Sequence, residues 1–392
     1  MVKIGTFLFA GNCPVTVVTR QESSSVAQSV NNLDTLSRSG EEESFMNFKG
    51  AFAFCCAVLA AALGSSHAAH GQSTISIVGS GSNVPTPLYS VWTDEFNKKD
   101  AKIQVRYLSM SMMEGVRQIS IGSGDFAAGE VPLTPEQMQS GKVSLVQIPT
   151  VLVGIVPIYN LPGSPEVNFS GEVLAHIFMG TITNWRDPRI AKLNPGIKVP
   201  DLRIAVVHRT AGKGSNYIFT DFLAKSSPEF HSQIGKSASP NWPVGVDANR
   251  GEDMVAKVAS IPGAIGYVEL NFARRSDIGY GTVQNPAGSF VKATPASISA
   301  ACKAMQGSIP SDFRVSLVDA LAKDAYPITS FTWIYLPTSG ISAERAHAVK
   351  QFLSWALQDG QTMARGMGYA TLPSPVQSKA YALLNSTEVA SR

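Results

Sequence analysis

Arg209 and Lys213 stand in the run "RIAVVHRTAGKGSNYIFTDFL" (Arg203–Leu223), where an apolar stretch ends at the arginine and an amphipathic segment opens at Ser215. The start of a helix carries unpaired N–H groups and the positive end of its dipole. This layout aims two cations and several backbone donors at one spot, which is the chemistry of oxyanion binding. A second glycine-rich stretch, "GSGSN" (Gly79–Asn83), also opens a helical pattern. Neither stretch is GxxxxGK[ST], and Val84 occupies the third glycine position of GxGxxG, so neither is a nucleotide-phosphate loop. One such loop is usually only a helix cap; two with an arginine nearby make a candidate anion site.

Glu130, in "AAGEVPL", is the carboxylate of interest. At a strand end it reads most simply as a solvated turn residue. Beside Arg209 it would instead be an acceptor in an anion site, able to accept only from a protonated ligand. Catalytic patterns are poor. His176, His208, His231 and His347 are scattered without metal-ligand spacing or a cysteine partner. There is no GxSxG elbow. His208 and Arg209 are consecutive in a strand and point to opposite faces, so if Arg209 faces a cleft, His208 is packed or solvated.

Strand–loop–helix units must position these groups. Strands are expected near Ile75–Val78 and Ile103–Leu108, the first followed by a helix with Leu88, Val91, Trp92 and Phe96 inward, the second by one with Val116 and Ile119 inward. "QIPTVLVGIVPIYNL", "PGAIGYVEL" and "AYPITSFTWIYL" read as strands, the first as one covered on both faces. Ala346, Val349, Phe352 and Leu353 mark the inner face of a late helix. Alternation of this kind is α/β, with ligands beyond the carboxyl ends of strands.

At 392 residues and 44% hydrophobic content the chain is long enough for two domains. A net charge of +3 with 16% charged residues argues against nucleic acid as a partner. The stretch Met46–Gln72 has a Lys49 n-region, an apolar run from Ala51 to Leu63 and a small-x-small site ending at Ala68. The run is short of the roughly 20 residues of a membrane span and reads as a secretory signal peptide, 46–68, giving a soluble product. Residues 1–45 show no packed pattern and read as a mis-called leader ahead of the true start at Met46, or as a disordered one. After cleavage only Cys302 remains of four cysteines, in a helical context that suits a small apolar residue better than a nucleophile.

The chain resembles the periplasmic phosphate-binding proteins of ATP-driven phosphate uptake. The stretches that carry the resemblance are "GSGSNVPTPLYSVW", "GDFAAGEVPL", "QIPTVLVGIVPIYNLPG", "GTITNWRDPRIAKLNPG", "IAVVHRTAGKGSNYIFTDFLAK", "PGAIGYVEL" and "AYPITSFTWIYL". The resemblance implies a two-lobed type II binding fold, each lobe a mixed sheet flanked by helices. Lobe 1 would comprise 73–153 with 331–388 and lobe 2 154–330, with crossover strands near Thr150–Tyr159 and Ile328–Tyr335. It implies dehydrated phosphate in the interlobe cleft. Ser82, Asn83 and the Val84 N–H would come from the first loop, with Asn83 and Val84 where threonine and an aromatic are usual. In the second loop a donor serine falls on Met112, which cannot donate unless Ser111 takes over. The family aspartate falls on Glu130. Arg209 is kept; Ala211 replaces an acid that commonly tethers it, leaving it free to pair with Glu130, and Lys213 replaces a serine. Gly214 and Ser215 retain a backbone donor and a hydroxyl. These changes imply a more cationic site.

The same resemblance implies a monomeric periplasmic solute-binding protein that needs no cofactor and delivers phosphate to an inner-membrane permease with its ATPase subunits. Two alternatives stay open: a paralogue serving another oxyanion, a sensor or a surface protein, for which the altered loops speak; and a phosphatase, which would need a nucleophile beside a base. The run around Thr183–Asn184–Trp185 reads as lobe surface.

Overall fold

The computed structural model describes residues 74–139 and 141–388, which belong to one compact unit. The expected signal peptide, 46–68, and the leader expected ahead of it lie outside the described residues. In chain order the strands are β1 (Ile75–Ser82), β2 (Ile103–Met110), β3 (Phe126–Gly129), β4 (Leu145–Tyr159), β5 (Asn168–Phe169), β6 (Ala205–Arg209), β7 (Val246–Ala248), β8 (Ala264–Glu269), β9 (Thr282–Gln284), β10 (Phe290–Val291) and β11 (Thr329–Pro337). The large sheet has the order β2-β1-β3-β11-β4-β8-β6-β7, and β10-β9-β5 form a small one.

Two parallel groups lie at the ends of this order. β1 is parallel to β2 and β3, and β6 is parallel to β7 and β8. Parallel neighbours need crossovers, which the helices Thr86–Lys99, Met112–Ser120 and Gly251–Ser260 supply. β4 joins the groups. Its first part, Leu145 to Gly154, pairs antiparallel with β11, and Ile155 to Tyr159 pair antiparallel with β8. That double duty explains a strand in which nearly every residue is buried. The carboxyl ends of β1 and β3 in one half face those of β6 and β8 in the other, leaving a cleft where helices begin.

Each half has an aromatic core. Trp92 stacks on Tyr89 at 5.2 Å, and its Nε1 donates to the Gly360 carbonyl at 2.9 Å. In the other half Phe219 stacks on Tyr267 at 4.2 Å and meets Phe178 edge-on at 4.9 Å. Val91, expected inward, is only half-buried, and Tyr89 takes the inner position. Val116 is likewise half-buried, whereas Ile119 is buried. Trp185 is not at the surface: it is fully buried and donates through Nε1 to Gly263 at 2.9 Å. Cys302 is buried, and burial pushes its thiol up to about 12, away from any reactive role.

The run Gly79–Ser82, expected as a loop, continues β1. A Cβ on Gly79 would overlap the Phe126 ring at 2.0 Å, so glycine here admits an aromatic from the paired strand. Among the described residues no helix is long and apolar enough to cross a membrane.

Candidate functional site

Ser82 ends β1, Glu130 follows β3, Arg209 ends β6 and Glu269 ends β8. Topology therefore delivers a hydroxyl, two carboxylates and a guanidinium to one cleft. Asn83 and Arg209 meet across it, with Nη2 donating to Asn83 Oδ1 at 3.4 Å and also to the Asn249 carbonyl at 3.3 Å. The cleft is closed.

Glu130 is fully buried, which overturns its simplest expectation as a solvated turn residue. Its carboxylate lies against Gly214, where an added Cβ would be 2.0 Å from Oε2 and 2.9 Å from the Glu130 Cβ. Neither carboxylate oxygen has a hydrogen-bond partner among the described residues. Burial pushes the group up to about 8; the nearby Glu269 adds to this, while the Ser82 hydroxyl and Arg209 pull the other way. Gly214 and Ser215 open the helix Gly214–Ser226, whose first-turn N–H groups have no acceptor within the helix. The Ser215 hydroxyl is buried and unpartnered.

Arg209 is buried, and its Nε and Nη1 have no hydrogen-bond partner among the described residues. Its backbone is fixed firmly: the N–H donates to the Tyr267 hydroxyl at 3.2 Å, that hydroxyl donates to Asn216 Oδ1, and Asn216 Nδ2 donates to the Thr210 carbonyl at 2.9 Å. His208, on the other face of β6, stacks on Trp242 at 5.7 Å and lies 3.2 Å from the Asp247 carboxylate. Burial holds its imidazole below the ordinary value.

Several expected ligand groups are otherwise engaged. The Val84 N–H points to the Ser82 hydroxyl at 3.2 Å, so it is not a free donor. Met112 is buried with its side chain packed over Gly129, where a Cβ would meet its Cγ at 2.2 Å. It fills space and gives no hydrogen bond. Ser111 caps the helix Met112–Ser120 by accepting the Glu114 N–H at 3.1 Å, which leaves its own O–H to donate. It also faces the other half: a Cβ on Gly212 would lie 3.6 Å from its Oγ. The Lys213 N–H is turned away, donating to the Ala238 carbonyl at 3.1 Å, as does that of Gly212 at 2.9 Å. Only the Lys213 side chain is available; burial and then the Arg209 charge hold its ammonium below the ordinary value, against an opposing pull from Glu269.

One expectation about charge fails on Glu269. This buried carboxylate stands 3.9 Å from Arg209 Nη1, so the arginine has a carboxylate neighbour in its own half and forms no ion pair with Glu130 among the described residues. Glu269 was legible in principle. It ends the apolar strand of "PGAIGYVEL", at the carboxyl end where ligands in such sheets collect.

Unpartnered N–H donors, a hydroxyl and an unpartnered acid carboxyl converge in a buried site, which suits an oxyanion able to accept at most oxygens and to share a proton at one.

Residues 66–359 match the PBP superfamily domain. The chain is 35% identical over 305 residues to the phosphate-binding protein PstS of Pasteurella multocida, covering 77% of this chain and 88% of that one. It is 33% identical over 304 residues to the PstS of Xylella fastidiosa, covering 76% and 82%. In structure it is similar to a phosphate-binding protein from Stenotrophomonas maltophilia, with a TM-score of 0.58 at 18% identity, covering 79% of this chain and 94% of that one. The two-lobed mixed sheet, with a cleft between its halves, is that fold. The chain belongs to the PBP superfamily and, within it, to the family of the PstS phosphate-binding proteins.

Proposed function

We propose that the protein binds inorganic phosphate in this cleft and passes it to an ATP-driven permease, as the solute receptor of an uptake system. The observation that carries this is the facing pair of Glu130 and Arg209, both buried and both with unpartnered atoms. An oxyanion that accepts from a guanidinium and shares a proton with a carboxyl satisfies the pair at any pH; a fully ionised anion does so only while Glu130 holds its own proton. The names of the relatives support the same ligand. Secretion through the 46–68 signal would place the soluble protein in the periplasm, where such a receptor works. The reading involves no chemistry on the ligand, in keeping with relatives that are named as binding proteins.

Titration calorimetry with phosphate, sulfate and arsenate tests this directly. Tight binding of phosphate and arsenate is expected, and a phosphomonoester turnover assay should show no activity. A protein that binds sulfate alone would serve another oxyanion. That second reading draws on Met112, which supplies no donor where one is usual, and on Lys213, which attracts any anion.

The Gly214 contact gives a further expected outcome. A methyl at this position would collide with the Glu130 side chain and hold the halves apart. Gly214→Ala should weaken phosphate binding by about 1–3 kcal/mol, the usual penalty of overpacking. Unchanged affinity in the same titration would mean that Glu130 and Gly214 do not meet in the bound protein.

A further inference from the structure

We propose that Glu269 is the positioning residue of the cleft: from the end of β8 its buried carboxylate, 3.9 Å from Nη1, holds the Arg209 guanidinium in place for the anion. This rests on the phosphate reading of the same site.

Arg209 has few other restraints at its charged end. Its two hydrogen bonds, both through Nη2, are long, at 3.4 and 3.3 Å, and one comes from the opposite half. Any opening that separated the halves would break the bond to Asn83. Within its own half the guanidinium then keeps the Asn249 carbonyl and Glu269, whose Oε2 lies 3.9 Å from Nη1. A buried cation without a counter-charge is strongly disfavoured, and Glu269 is the carboxylate that moves with it. Its backbone is well placed for the task. Glu269 pairs with Ile155 at the point where β4 leaves β11 for β8, so its strand end is anchored to the crossover.

Glu269 also acts on Glu130. It faces Arg209, Lys213 and Glu130, together with the phenols of Tyr267 and Tyr369. Glu130 additionally faces Tyr89, Tyr107 and Tyr335. Burial holds all five phenols above their ordinary values, so they do not titrate alongside the carboxyls. The Glu269 charge is one of the causes that keep the Glu130 proton in place. Removing it should release that proton at lower pH.

The test is titration of phosphate, arsenate and sulfate into the wild-type protein, Glu269→Gln and Glu269→Asp between about pH 6 and about pH 9. Circular dichroism checks that each variant is folded. Glu269→Gln should lose about 10- to 100-fold in phosphate affinity, and the pH at which sulfate affinity falls should move down. Glu269→Asp keeps the charge, so it should lose less and retain the wild-type pH profile; if Gln does not fold, Asp carries the test. Affinity within about twofold of wild type for Glu269→Gln, or a loss by one constant factor at every pH, would overturn the proposal while leaving phosphate binding intact. If the wild type takes sulfate or arsenate but not phosphate, the phosphate reading fails and Glu269 is judged on the anion that binds. Binding of none of the three sinks both.

Discussion

Arg209→Ala is expected to weaken phosphate binding by about 2–5 kcal/mol, the range for truncating one side of a buried, hydrogen-bonded charge pair. The guanidinium is buried, and two of its nitrogens lack a partner until an anion supplies one. Its loss also strands Glu269, a buried carboxylate left without its cation. His208→Ala is the control on the adjacent residue. His208 faces Trp242 and Asp247, outside the cleft, and burial favours its neutral form, so its truncation removes no charge from the site. Calorimetric titration of both variants decides the matter. Comparable losses would mean that the faces of β6 are assigned the wrong way round.

That alternation of faces could be read from the sequence, because period-two geometry leaves little freedom once a strand is recognised. The buried strand β4 was equally legible, since Leu145–Tyr159 has no polar alternation for a solvent face to use. The end of β1 was not. Glycine and serine at 79–82 have weak strand preference, and only the Phe126 ring lying over Gly79 shows why a side chain is forbidden there. Trp185 fails for a similar reason. Its string carries turn residues, including Gly180 and Gly196 at positive φ and the Asp187 cap, which suggest a surface segment. The tryptophan nonetheless turns inward to reach Gly263. In the site, side chains brought by a loop motif were found, but whether each was free to act was not. The Val84 N–H and the Met112 side chain are committed to local contacts that depend on three-dimensional packing. Glu269 was overlooked because a single acid ending an apolar run looks like a solvated strand end until its burial is known.

Glu130 is expected to make discrimination against sulfate a property of alkaline solution. Its carboxyl is pushed from an ordinary 4.5 up to about 8, chiefly by burial, so in the ligand-free cleft near pH 7 it holds its proton. A protonated carboxyl is a donor and can serve sulfate, which has no proton of its own to share. An ionised Glu130, able to accept only from a protonated ligand, would reject sulfate already at neutral pH; burial moves that boundary upward. As pH rises through about 8 the proton leaves, and sulfate then faces an unmet lone pair and a like charge. Its affinity should fall by about tenfold per pH unit from there, the slope for one coupled proton. Phosphate retains a proton to give and should fall less, so the preference widens with pH. Glu130→Gln presents an amide donor at every pH and should bind sulfate with little pH dependence. The same shift bears on stability: with the folded value above the unfolded one, stability is greatest below about 4.5 and declines as pH climbs toward about 8. Thermal melts of ligand-free Glu130→Gln should lack that decline. Competitive binding of the two anions between about pH 6 and about pH 9 measures the main effect. A full preference for phosphate already present at about pH 6 would mean that Glu130 is ionised in the working cleft, and that the carboxylate selects by acceptance throughout.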